Sequence, residues 1–352
     1  MRKSASFVLV QKSPYLFLIL FFLLGTSWLH AQRTDVVILK NGDKITGEIK
    51  KLDRGILQFK TDNMDTLHIQ WDFVDSLGSN KQFDVESVSG LHYIGPIKRA
   101  DKEGQMVVAT EEMEFTLSIK NVIRMSPLEA TFWRRMKGYL DAGFSYQKAD
   151  KFAEFTLGGE ISIRSPKWSN KLLADFYIRR AKEGRDIFRN SATYNLERLF
   201  QNRWTGSLFG TLEQNDELNL DFRALFGLSV GRYVVQNNHM LMLLSGGLAA
   251  SREKLITDEN FSTRLEALIG TNFEAFRFQT PKLDFSASLI VFPSLSEFGR
   301  IRINFDTRLR YEIFKDFYVG LKVLDHFDGD LRKEGITSND FGVNLTISYS
   351  FK

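Results

Sequence analysis

The side chains that could carry chemistry are few and scattered. No cysteine is present. That removes disulfides, thiolate zinc sites, thiol nucleophiles and a lipid-modified N-terminal cysteine. Beyond residue 31 the histidines are His68, His92, His239 and His326. No two are close in sequence, whereas a transition-metal site needs clustered His or Cys. Gly227-Leu228-Ser229-Val230-Gly231 matches the G-x-S-x-G pattern. A nucleophile elbow needs a strand-to-helix turn, with an acid and a histidine downstream. Here the motif lies inside an alternating stretch, where its glycines read as small inward-facing residues. The histidines read as surface groups. The chain reads as a non-enzyme with no catalytic, cofactor-binding or metal residues.

The charges are more informative. Glu160, Arg164, Asp175, Arg179, Asp221, Arg223, Glu266, Asp284, Arg302, Asp306, Arg308 and Arg310 fall at polar positions of alternating stretches. Such residues can fill a lumen as matched pairs, because buried charge is tolerated only when paired and hydrogen-bonded. The same residues can instead line a narrow polar path for ions or small solutes. Arg302, Arg308 and Arg310 would bias that path toward anions. The acidic run Asp325, Asp328 and Asp330 lacks the spacing of a calcium loop.

Strands must position these charges. Near the C-terminus Phe341, Val343, Leu345, Ile347, Tyr349 and Phe351 alternate with Gly342, Asn344, Thr346, Ser348 and Ser350. Side chains alternate faces along a strand, so one face meets an apolar medium and the other a polar one. Ile301 to Tyr311 repeats the pattern, with Arg302, Asn304, Asp306, Arg308 and Arg310 on the polar side. Twelve such strands are expected, near 138–148, 154–164, 171–179, 190–199, 204–214, 219–233, 239–250, 262–276, 282–292, 300–311, 316–325 and 340–351. A tilted membrane strand needs about 9–11 residues. Closure of the set leaves no unpaired backbone edge in lipid. Tight connections at 165–168, 201–203, 236–238, 279–281 and 315–316 alternate with longer charged ones at 181–188, 251–260 and 328–338. Short periplasmic turns and long outer loops give this asymmetry. Trp168, Phe200, Trp204, Phe314 and Phe317 are expected in an interfacial girdle.

The N-terminal third is written differently. Asp35 to Leu39 runs into Lys40-Asn41-Gly42-Asp43, and Asn-Gly between apolar alternations marks a hairpin. Gly42, Gly47 and Asp53 recur as Gly90, Gly95 and Asp101, each 48 residues on; Gly55 and Gly104 are one residue out of step. A repeat of this length points to two tandem units of short strands. Leu39 to Gly47 resembles the opening of exported Sm-like modules. The expected fold is therefore all-β: a C-terminal antiparallel transmembrane β-barrel of about twelve strands, preceded by two small Sm-like or SH3-like β-barrels.

Arg2, Lys3 and Lys12 precede the short apolar run from Tyr15 to Leu24, and Leu29-His30-Ala31 follows. This is the layout of a secretory signal, cut after Ala31; the alternative is an N-terminal anchor. The 352 residues carry a net charge of +4, and three of the basic residues leave with the signal. No nucleic-acid footprint remains. Aromatics make up 13% of the chain, including 31 Phe, which favours strands. The expected organisation is a signal at 1–31, modules at 32–79 and 80–126, a linker at 127–137 and the barrel at 138–352.

A resemblance supports this reading. Arg203-Trp204, Glu213, Asp216, Leu220-Asp221-Phe222-Arg223, Gly227-x-Ser229-x-Gly231-Arg232-Tyr233 and Phe292-Pro293-Ser294-Leu295-Ser296 resemble the salt-induced outer-membrane protein family (domain of unknown function 481). The likeness covers roughly 135–352. It implies a bacterial outer-membrane barrel, and it carries no catalytic residues. The expected location is the outer membrane of a Gram-negative bacterium, with the N-terminal modules in the periplasm. The expected partners are outer-membrane lipid and a periplasmic protein bound through those modules. The expected role is structural or envelope-maintaining; the alternative is a narrow channel or transporter.

Overall fold

The computed structural model describes residues 34–128, 136–147, 152–165, 167–181, 185–258, 260–277, 282–329 and 339–351. The expected signal, most of the expected linker and most of the 328–338 loop lie outside them. Among the described residues the regular structure is all strand, apart from three single 3-10 turns. No helix there is long and apolar enough to cross a membrane.

The first nine strands are β1 (Asp35–Leu39), β2 (Lys44–Asp53), β3 (Ile56–Lys60), β4 (Thr66–Gln70), β5 (Val74–Ser87), β6 (His92–Arg99), β7 (Gln105–Ala109), β8 (Glu114–Ser118) and β9 (Val122–Pro127). They form one sheet in the order β4-β3-β2-β1-β5-β6-β7-β8, with β9 pairing to both β2 and β5. The pairs β2–β1, β1–β5, β5–β9 and β9–β2 therefore close a small four-stranded ring.

The repeat seen in the sequence is visible element by element. Strands β2, β4 and the 3-10 turn Trp71–Phe73 recur 48 residues later as β6, β8 and Ile119–Asn121. The expected boundary at 79/80 falls inside β5, which ends the first repeat and begins the second. The two repeats thus share a strand and one core. Val37 matches Val85, Ile49 matches Ile97, and Trp71 matches Ile119, all buried in a single cluster. The indole N–H of Trp71 donates to the Ile119 carbonyl at 2.8 Å, tying the two repeats together at equivalent positions.

The remaining strands are β10 (Met136–Gln147), β11 (Phe152–Arg164), β12 (Trp168–Ala181), β13 (Ile187–Leu199), β14 (Trp204–Asn215), β15 (Leu220–Gln236), β16 (Met240–Leu255), β17 (Phe261–Arg277), β18 (Leu283–Pro293), β19 (Ile301–Phe314), β20 (Phe317–Asp328) and β21 (Asn339–Phe351). All twelve are antiparallel neighbours in a closed barrel, sealed where β10 pairs β21 from Gly138↔Phe351 to Ala142↔Ile347.

The barrel wall is apolar outside. Leu345 is 71% exposed and Ile347 66%, while their neighbours Thr346 and Ser348 are buried. Large apolar side chains exposed on every strand cost free energy in water, so the surrounding medium must be hydrocarbon. At one end Trp168, Phe200, Trp204, Phe314 and Phe317 lie exposed. Arg198 sits over Trp168 and Arg232 over Trp204, at 5.4 and 5.6 Å. Amphipathic aromatics with cationic partners suit a membrane–water interface. This is the short-turn end, where β19 and β20 are joined through Lys315 and Asp316 alone.

Candidate functional site

The lumen is built by strand parity: alternate residues of each strand point inward, and the inward set is rich in charge. Near the long-loop end these charges form a continuous network. Arg223 donates to Glu253 at 2.9 Å, to Glu213 at 3.3 Å and to Asp328 at 2.6 Å. Arg300 bridges Glu253 at 3.1 Å and Asp328 at 2.7 Å, and Arg264 binds Glu253 and Glu297. Arg302 reaches Glu266 at 2.9 Å, with its guanidinium 3.9 Å from the centre of the Phe292 ring. Leu225, Ala249, Leu268 and Phe292 are buried together beside them. Charge pairs and apolar side chains line this half of the interior.

Other pairs cross the lumen between strands distant in sequence. Lys322 meets Asp175 at 2.6 Å, Arg189 meets Asp340 at 2.7 Å, and Arg308 meets Asp141 at 3.3 Å. The guanidinium carbon of Arg310 lies 4.7 Å from the Tyr139 ring and 5.2 Å from the Tyr318 ring while Arg310 pairs with Asp284. Two rings and a carboxylate can hold a desolvated guanidinium.

The mouth at the short-turn end is occupied by the N-terminal domain. The two-residue turn Arg54-Gly55 between β2 and β3 has positive φ at both positions, 50° and 73°, as a type I′ turn requires. It points Arg54 into the barrel. The guanidinium pairs with Glu274 at 2.5 Å and Asp284 at 3.5 Å, 5.1 Å from the Phe276 ring. A Cβ at Gly55 would lie 3.1 Å from the Asn238 carbonyl oxygen of the β15–β16 turn, so glycine permits the close approach. Asn238 donates to the Val122 carbonyl at 3.1 Å. Asp53 pairs with Lys137 at 3.2 Å. Glu86 accepts from Arg164 at 3.2 Å, Arg124 at 2.8 Å and Gln236 at 2.7 Å. Burial alone would raise the Glu86 carboxyl; Arg164, Arg124, His92 and Gln236 overcome it and bring its pKa to about 2. Burial works the same way on Asp53, yet Lys137, Arg124 and Arg54 hold it well below the usual carboxylate range.

The charges expected in the lumen are placed as follows. Arg223, Glu266 and Arg302 join the long-loop network; Asp175 and Arg308 join the crossing pairs, and Asp284 and Arg310 pair directly opposite one another on β18 and β19. Arg179 pairs with Glu154 and Glu217 toward the long-loop end. Glu160 meets Lys171 at 3.6 Å, and Arg164 meets the N-terminal domain. Asp306 pairs with His326 at 3.2 Å; among the described residues no guanidinium pairs with it. Asp221 lies outside the cluster: the register of β15 against β16 shifts between Leu220 and Phe222. That bulge turns Asp221 outward to Lys254 at 3.1 Å and leaves Arg223 inward. Asp328, expected among outer acidic loop residues, is held by two guanidiniums. Ser229 of the G-x-S-x-G stretch sits mid-strand, opposite Ser207 and Gly247.

Glu274, Asp141 and Lys322 were legible as inward by parity alone; Glu253 was not, because β16 runs on to Leu255 through residues expected to form a connection. Arg54, Asp53 and Glu86 were not, because only the docking of a separate domain brings them to the barrel.

A closed twelve-stranded barrel with an apolar outer wall and a charge-filled interior is the construction of an outer-membrane β-barrel. The family model described as "Protein of unknown function, DUF481" matches residues 140–351, more than half the chain, and the protein belongs to that family. No curated protein matches the sequence. Among solved structures, "NanC porin structure in rhombohedral crystal form" aligns at 10% identity and a TM-score of 0.37, covering 60% of this chain and 99% of that one. "Bacterial polysaccharide outer membrane secretin" aligns at 8% identity and 0.33, covering 62% and 98%. The β domain of the Bordetella autotransporter BrkA aligns at 8% identity and 0.31, covering 61% and 98%.

Proposed function

We propose that the protein is a non-enzymatic structural component of the outer membrane of a Gram-negative bacterium, with a closed lumen and its N-terminal domain in the periplasm. The observation that carries this is the pairing of lumenal charge across the interior, completed at the mouth by Arg54. A wall of matched pairs stabilises a barrel and leaves little free charge to conduct ions. The short bent strands of the N-terminal domain fit the Sm-like reading. Its sheet ends on β4 and β8, and such end strands can add an extended segment of a periplasmic partner.

Planar-bilayer recording on purified protein tests the reading. Little or no conductance is expected. Single-channel currents whose anion preference falls in Arg302→Ala would favour the alternative, a narrow channel for ions or small polar solutes. Fractionation provides the location test: the mature chain should run with outer membranes in a heat-modifiable form, and recovery as a soluble protein would sink it.

A further inference from the structure

The residues that receive Arg54 belong to the barrel alone. Glu274 and Phe276 lie on β17, and Asp284 lies opposite Phe276 on β18. Two carboxylates and an aromatic face on adjacent strands make a complementary seat for a planar cation. Neighbouring charges are already matched: Lys171 faces Glu160, and Arg310 takes part of Asp284. Without Arg54, Glu274 is the carboxylate left without its partner. The seat therefore carries about one negative charge and a ring, and the guanidinium seen in it comes from a turn of another domain.

We propose that Glu274, Asp284 and Phe276 form a binding site for small guanidinium-bearing cations at the short-turn mouth, and that Arg54 is its resident occupant. The cation pairs with Glu274 and Asp284 and stacks on Phe276, so a free guanidinium compound and the Arg54-Gly55 turn exclude one another. Ligand binding and release of the N-terminal domain from the mouth are then two sides of one equilibrium. The site holds whether or not the barrel conducts.

Calorimetric titration of the full-length protein in detergent with ethylguanidinium chloride tests this, against sodium chloride at equal ionic strength. Arg54→Ala should bind ethylguanidinium saturably at one site. Wild type should bind at least roughly tenfold more weakly, because its own arginine competes, and Arg54→Ala/Glu274→Gln should lose roughly tenfold or more through one missing charge-assisted hydrogen bond. Arg54→Gln, which keeps a shorter, uncharged polar side chain at the turn, serves if the alanine variant does not fold by heat-modifiable mobility. Absence of saturable binding in the folded variant, or equal binding with Glu274→Gln, would overturn the proposal. Hydrogen exchange gives a second measurement. Ethylguanidinium should speed exchange around Gly55 in wild type and not in Glu274→Gln, and identical exchange in both would count against the site.

Discussion

Phe59 and Phe341 are the same side chain in the same kind of antiparallel strand, yet Phe59 is fully buried and Phe341 is 64% exposed. The N-terminal sheet folds its apolar face onto itself. The barrel turns its apolar face outward and keeps charge within. Local alternation is the same in both regions; the inversion lies in which face the closed sheet encloses. Short strands of five residues, as in β1, β3 and β4, curl a sheet into a small apolar core. Strands of 11–17 residues, repeated twelve times, enclose an interior too wide for a simple apolar filling.

The largest effect that could break this comparison is Phe59→Ala. Emptying a packed core should cost about 3–5 kcal/mol. Phe341→Ala should cost about 1 kcal/mol or less, because lipid or detergent replaces the lost contacts. Denaturant unfolding in detergent, followed by probes in each region, checks both. Equal losses would mean the two phenylalanines face the same medium.

Charge pairs give the next contrast. Glu266 and Arg302 are both buried, whereas Asp221 is exposed and Lys254 half-buried. Glu266→Ala should destabilise the barrel by about 3–5 kcal/mol, since it strands a buried guanidinium. Asp221→Ala should cost about 0–1 kcal/mol. A small loss for Glu266→Ala would mean that water screens the lumen, and would strengthen the channel reading.

How far the sequence carried these features differs by range. Strand parity is local, so all twelve barrel strands and most inward charges were legible, down to Leu345 outward and Asn344 inward. The repeat was legible because Gly42, Gly47 and Asp53 recur at fixed spacing. What the repeat could not show is that β5 is shared, because a spacing does not say whether two units have separate cores. The bulge at Leu220–Phe222 was also hidden, since an extra residue leaves the apolar pattern intact while reversing Asp221. Arg54 was illegible for a different reason: its partners lie 220 and more residues away, and nothing in a turn's own sequence names a distant acid.

The wall orientation gives a third contrast. Leu345→Arg should reduce insertion stability by about 2–4 kcal/mol if it lies near the bilayer midplane. Asn344→Asp, on the neighbouring inward position, should do much less. Refolding into lipid vesicles, scored by heat-modifiable mobility, compares them, and equal damage would deny the strand a single lipid face.

The smallest expected effect concerns His92, on β6 close to the contact between the regions. The Nδ1 of His92 lies 2.8 Å from Asp84. Burial lowers its pKa, but the hydrogen bond and charge of Asp84, with Glu86 behind it, raise it above 6.5 on balance. A raised folded-state pKa stabilises fully below the unfolded value of about 6.5 and is lost as pH rises through the folded value. Glu86 has the opposite sign: its contribution is present above 4.5 and is lost as pH falls toward about 2. The folded N-terminal domain with its barrel contact should therefore be most stable between 4.5 and 6.5, losing a little stability on the alkaline side and more on the acid side. Hydrogen exchange at β5 and β6 across that range is the measurement. His92→Gln should flatten the alkaline limb and leave the acid limb in place, and Glu86→Gln should do the reverse. If His92→Gln leaves the alkaline limb unchanged, His92 does not couple to the Glu86 anchor, and the contact with Arg164 and Arg124 stands independently of it.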